Sequence, residues 1–279
     1  MSFLKSGKHR KILLQISAGL IFVSWLAGFH SCANKAYIAP LPQSPWGGKY
    51  AYSYDVPSDG KAKSVPIIVA VVNPSYREDK ESLLANDIFS KVGKGFSSSM
   101  GTDLDKILIS KGINTTGPFA SLDEITYSQK KEASLTLASQ VFISAEMKPV
   151  GQEQYSGGYM MQTYDMSING WISFNMQEPL SGQKMWIKKI ELEPIQVQTV
   201  VYTEAIPRYG NDGCGGTMVV GYNRGSIVYD GRVDSIADAL KQMYPVILSK
   251  FQKFIDPEEL IALKEKGKEI RSSGTFGLK

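Results

Sequence analysis

The chain has 279 residues, with 31 Lys+Arg against 27 Asp+Glu, two histidines and two cysteines, for a formal charge of +4. Four of the basic residues (Lys5, Lys8, Arg10, Lys11) fall in the first eleven positions with no acid among them, so the remainder is balanced and lacks the basic patch or stripe that nucleic-acid binding needs. The only histidines, His9 and His30, lie in the same N-terminal stretch. Once it is removed, Ser-His-Asp and Cys-His catalysis, His-ligated zinc and a histidine pH switch are excluded, and no catalytic residue, cofactor or metal site is expected.

The basic start is followed by an apolar run over residues 12–29 (ILLQISAGLIFVSWLAGF) and then by HSCANK, the order of regions in a secretory signal. A cysteine just past such a run, with small residues on either side, resembles the lipobox of bacterial lipoproteins, where the chain is cut before the cysteine and the sulfur is lipidated. Residues 1–31 therefore read as a signal peptide and Cys32 as the lipidation site, anchoring the chain to a membrane; Ala33, rather than Asp, resembles the sorting pattern for outer-membrane release. Phe29 and His30 are bulkier than the residues usual at those positions, so two alternatives stay open. Ser31-Cys32-Ala33 also fits ordinary signal peptidase, which would release a soluble product, and about eighteen apolar residues suffice for a short uncleaved span. Cys214 reads as a loop cysteine rather than a reactive thiol; a bridge to Cys32 is conceivable in an oxidising compartment if Cys32 is unmodified.

Residues 33–64, rich in proline and glycine, have the composition of a tether; Trp46 and the tyrosines are expected to dock on the domain rather than lie at the membrane surface. VPIIVAVVN (65–73) is the continuous β-branched run of a strand buried on both faces, ended by Asn73-Pro74. A helix follows, with one apolar stripe at Leu84, Ile88, Val92, Phe96, Met100, Leu104, Ile107 and Leu108 and a stop at Gly112. Gly93, Gly95 and Gly101 either weaken it or let another element come close. A strand over Ile113–Phe119 is expected beside the first, giving a right-handed β-α-β unit. Ser121-Leu-Asp-Glu124 reads as a capping box for a short helix through about Lys131. Residues 135–149, 159–178 and 183–202 are strand-like and form an antiparallel meander, joined by loops at 151–158 and 179–182, with further strand at 218–230. The glycine-rich stretch 208–217 lacks the Lys-Ser/Thr of a phosphate loop and opens no helix, so it reads as a flexible connection. Ile236, Leu240, Met243, Ile247, Phe251 and Phe254 trace a helix opened by Ser235-x-x-Asp238 and kinked at Pro245; Asp256-Pro-Glu-Glu259 starts another, and residues 271–279 read as a loose tail. The predicted architecture is one α+β domain over 65–270: a mixed, mainly antiparallel sheet with two principal helices packed on one face.

Asp103, Asp105, Asp123 and Glu124 are the best candidates for acid–base chemistry, yet they read more simply as solvated helix residues and caps, so a non-enzymatic protein is expected.

DEITYSQKKEASLTLASQVFISAEMKP (123–149), QEPLSGQKMWIKKIELE (177–193) and SIADALKQMYPVILSKFQKF (235–254) resemble the neuraminyllactose-binding hemagglutinin family of Helicobacter and relatives. The resemblance implies a lipid-anchored outer-membrane or surface adhesin for sialylated glycans. Under that reading Tyr155, Tyr159 and Tyr164, with Trp171, are candidates to stack on sugars, although cross-strand packing is an equal use of such residues. Where the family carries a lysine-rich sugar-binding segment, this chain reads PVGQEQYSGG (149–158). The alternative is a periplasmic-side structural or assembly lipoprotein that binds an envelope protein through a sheet edge or its hairpin tips.

Overall fold

The computed structural model describes residues 40–57, 63–76 and 89–273; the signal segment, Cys32, Leu84 and Ile88 lie outside the described residues. Among the described residues, six strands form one mixed sheet, accompanied by four α-helices. The strands are β1 (Val65–Tyr76), β2 (Ile113–Phe119), β3 (Leu135–Ser156), β4 (Tyr159–Gln177), β5 (Lys184–Asn211) and β6 (Thr217–Asp230), in spatial order β2-β1-β3-β4-β5-β6. β1 runs parallel to both β2 and β3, and the β3–β6 ladders are antiparallel.

β1 is buried on both sides, as its apolar run requires: Ile67, Val69 and Val71 enter the main core, while Ala70 and Val72 pack with Ile125 and Ala133. It continues past Pro74 to Tyr76 because its pairing with β3 shifts between Val72 and Ser75, an irregularity where a residue without N–H is tolerated. Helix α1 (Ser90–Ser110) buries Val92, Phe96, Met100, Leu104, Ile107 and Leu108, and Gly112 beyond it has φ 80°. Ser121 makes no side-chain cap. The capping box belongs to Thr126 and Gln129, which open the short helix α2 (Tyr127–Glu132), while residues 122–124 form a single 3-10 turn.

The meander strands are longer than expected. β3 continues to Ser156 because the turn is made by Gly157 and Gly158, with φ 55° and 90°, and β5 continues to Asn211. Helix α3 (Gly231–Phe254) begins four residues before Ser235, since the Asp230 carboxylate accepts from the Arg232 amide, and it runs on through Pro245. Helix α4 (Pro257–Ser273) starts where Asp256-Pro257 indicated; Asp256 accepts from the Glu258 amide at 3.0 Å. It extends into the segment read as a tail, where Arg271 is held by Glu178 and the Ala133 carbonyl.

Strand alternation assigns two sides. Leu137, Val141 and Ile143 of β3, Ile172, Phe174 and Met176 of β4 and Ile190 of β5 join α1 and α3 in the core. Phe142, Trp171, Ser173 and Lys189 belong to the other, outer side.

Among the described residues of the tether, 44–54 dock on the helices. Ser44 donates to Asp234 (2.6 Å), Trp46 to Asp238 (3.1 Å), and the Tyr54 hydroxyl to Gln252 (3.2 Å), so this strap follows α3 back toward its first turn. Tyr52 lies against Phe96 and Tyr244 at ring distances of 5.4 and 5.5 Å. A Cβ on Gly95 would collide with the Tyr50 carbonyl, and one on Gly101 with the Asn73 side chain. Close approach is therefore what these glycines permit.

Beyond Val201 and Asp230 the far ends of β3–β6 project from the helical body as an arm. Tyr155 of β3 stacks on Tyr222 of β6 (4.2 Å, 10°) and Glu153 pairs with Arg224. Because β4 and β5 lie between those strands, these contacts require the sheet to curl.

Candidate ligand-binding face

The three tyrosines do not converge. Tyr155 pairs across to Met160 and Tyr159 to Ser156, so adjacent positions in the ladder send them to opposite sides of the arm. Tyr155 is occupied by Tyr222. Tyr164, opposite Thr199, lies on the core side of the sheet. The segment 149–158 forms the end of β3 and its turn, and it brings Glu153 rather than a cation.

Trp171, by contrast, sits in the middle of the outer side. Register places Phe142, Trp171 and Glu191 in one row and Gln140, Ser173 and Lys189 in the next. Phe142 and Trp171 stack at 5.8 Å and 22°, leaving both half-buried. The Lys189 ammonium lies 4.8 Å from the Trp171 ring centroid and 2.6 Å from Glu191. Hydroxyl and amide groups border the rings: Ser144 donates to Asn169 (2.7 Å), Ser173 to Asn175 (3.2 Å), and Gln196 to Ser167 (2.7 Å). The result is an aromatic patch framed by neutral polar groups and the Lys189–Glu191 ion pair, on a surface built from regular strands. Trp171 was a candidate from sequence; Phe142 and Lys189 join it only through strand register, which spacing alone does not fix.

The acids considered for chemistry are committed elsewhere. Asp103 is buried rather than solvated: it accepts from the Tyr54 amide (2.9 Å), the Tyr244 hydroxyl (2.8 Å) and Lys106 (2.7 Å), tying the strap to both long helices. Asp105 is half-buried; Asp123 and Glu124 are exposed on the 3-10 turn, where Glu124 accepts from the Ala120 amide. A cleft of about 400 Å³ between α4 and the start of β1 contains Lys264, Lys268 and Arg271, but these donate to Pro66, Glu265 and Glu178 respectively. Among the described residues no group of His, Cys, Asp and Glu is placed to hold a metal, and no helix is long and apolar enough to cross a membrane.

A sequence profile of the neuraminyllactose-binding hemagglutinin precursor family matches residues 53–273. The chain belongs to this family. The match begins inside the docked strap, twelve residues before β1, and ends with α4. No curated protein sequence matches the chain. Among solved structures, a neuraminyllactose-binding hemagglutinin homolog from Helicobacter pylori is similar with 15% identity and a TM-score of 0.49, over 76% of this chain and 97% of that one. A Xanthomonas campestris protein follows (9% identity, TM-score 0.34, 78% and 98% covered). A lipoprotein from Neisseria meningitidis has 11% identity and a TM-score of 0.23, with 53% and 89% covered. Family membership rests on the sequence profile alone.

Proposed function

We propose that this protein is a non-enzymatic lipoprotein of the bacterial outer membrane, anchored through Cys32, that acts at the cell surface as an adhesin for sialylated glycans. The observation that carries the reading is membership of the hemagglutinin family across nearly the whole described domain. The outer side of the sheet supplies a surface for it: α1 and α3 pack on the core side, and the outer side presents Phe142, Trp171 and Lys189. A sugar ring can lie on the Trp171 indole while border amides and hydroxyls meet its hydroxyl groups, and Lys189 can exchange Glu191 for a sialate carboxylate. The commitment of the buried carboxylates Asp103, Glu178 and Asp234 to structural hydrogen bonds supports a binding rather than a catalytic role.

The test is a glycan array with the detergent-solubilised full-length protein, alongside Trp171→Ala and Lys189→Ala. Retention of sialylated glycans is expected, lost in Trp171→Ala and reduced in Lys189→Ala, with both variants still folding cooperatively. Failure to retain any glycan would sink the adhesin reading. An envelope assembly role would then lead, for which the unpaired edge of β2 offers strand addition. Protease treatment of intact cells reports the leaflet separately.

A further inference from the structure

The arm exposes more apolar surface than its own packing explains. Ile206, Tyr209, Met218, Val219, Val220 and Ile227 are each more than 40% exposed. Tyr209 pairs with Val219, and Thr203 with Ile227, on the core side; Gly210 pairs with Met218 on the outer side, which Ile206 and Val220 share. Apolar residues thus emerge from both surfaces of one thin projection. A protein partner docked on the sheet would cover one of them. Strand addition at the edge is also poorly served, because three register shifts fall in the β5–β6 ladder, each with the extra residue on β6, and bulges of this kind blunt an edge. A lipid interface can meet both surfaces together.

The strap sets the direction. From Tyr54 to Ser44 it follows α3 from Gln252 to Asp234, and Pro45 lies beside Val200 and Tyr229 at the root of the arm. The N-terminal segment therefore leaves the body at the end from which the arm projects. Twelve residues separate Cys32 from Ser44, a reach of at most about 40 Å. Ten residues carry β5 from Val201 to Asn211, about 33 Å. An anchor at Cys32 keeps the arm's root within roughly one arm's length of the bilayer.

Charge is subdued on this part of the chain. Residues 203–228 hold Glu204, Asp212, Arg208 and Arg224 and no net charge. Asp212 accepts from the Cys214 and Gly216 amides (2.8 and 2.9 Å), and Arg224 pairs with Glu153. We infer that the β5–β6 arm is a second membrane contact, seated in the headgroup–acyl boundary of the bilayer that holds the anchor; this rests on the anchored reading above. Tyr209 suits that boundary and Arg208 suits a lipid phosphate. The contact is interfacial rather than spanning, since the open β6 edge would leave backbone groups unsatisfied in hydrocarbon.

Cys214, exposed in the arm's turn, is a native reporter. The full-length lipoprotein, spin-labelled at Cys214, is reconstituted into vesicles of phosphatidylethanolamine and phosphatidylglycerol and tested for flotation and for collision with oxygen and with a water-soluble nickel chelate. A Gln183→Cys label in a Cys214→Ser background, at the opposite end of the sheet, is the comparison. Oxygen collisions are expected to dominate at Cys214 and nickel collisions at position 183. The paired substitution Met218→Asp and Val220→Asp is expected to reverse the order at Cys214. A Cys214 label as open to nickel as position 183, on protein that floats, overturns the arm contact and leaves the anchor standing. Protein that does not float overturns the anchored reading, and the arm contact with it.

Discussion

Glu178 shows how much one side chain can hold. It is fully buried and accepts from the Leu180 and Ser181 amides and from Arg271 at 2.6 Å, while Arg271 also donates to the Ala133 carbonyl at 2.8 Å. Burial pushes the carboxyl up, but the Ser181 and Leu180 amides, the Ser181 hydroxyl and the Arg271 guanidinium together outweigh it and hold Glu178 below the usual 4.5. A carboxyl with a depressed folded pKa stabilises the fold above its unfolded pKa and loses that contribution as pH falls through the folded one. Glu178→Gln is therefore expected to cost about 2–3 kcal/mol at neutral pH in urea unfolding. The gap to wild type should narrow as pH drops below about 4. A gap independent of pH would exclude the charge as its source. The sequence marked 179–182 as a turn but left Arg271 in a tail, because the two residues are 93 positions apart and no local pattern links them.

At the scale of elements, the strap converts a linker composition into a structural layer. Its docking was expected from Trp46 and the tyrosines, and Gly95 explains how the backbone gets close enough. Gly95→Val is expected to lift Tyr50 from α1 and cost about 1–3 kcal/mol, the usual range for overpacking. Trypsin cleavage after the exposed Lys49 should accelerate in parallel; unchanged cleavage with lowered stability would mean that α1 had yielded instead. Strands and helices were mostly legible because their alternation and their four-residue stripes are local signals. Their ends were less so. Ser121 and Ser235 looked like caps, but Thr126 and Asp230 make the hydrogen bonds, and a cap is decided by which side chain reaches an amide.

The whole molecule divides into a densely packed body and a thinly buried arm. Amide exchange in detergent should reflect this: residues 137–143 and 166–176 near the global unfolding free energy, residues 203–211 and 217–227 opening at much lower cost. Uniform protection along β5 would contradict the division. The curl that joins Tyr155 to Tyr222, like the separation of the three candidate tyrosines, depends on pairings between distant strands, so no window of sequence could display either. The same non-locality governs biosynthesis. Lys264 of α4 reaches the Pro66 carbonyl at the start of β1, 198 residues upstream, and Arg271 reaches the carbonyl of Ala133 just before β3. A nascent chain must therefore carry the parallel edge of its sheet unlatched until its last helix has left the ribosome. Those two latches can close only after the final turns of α4 have emerged, whatever the strands and the earlier helices have already formed.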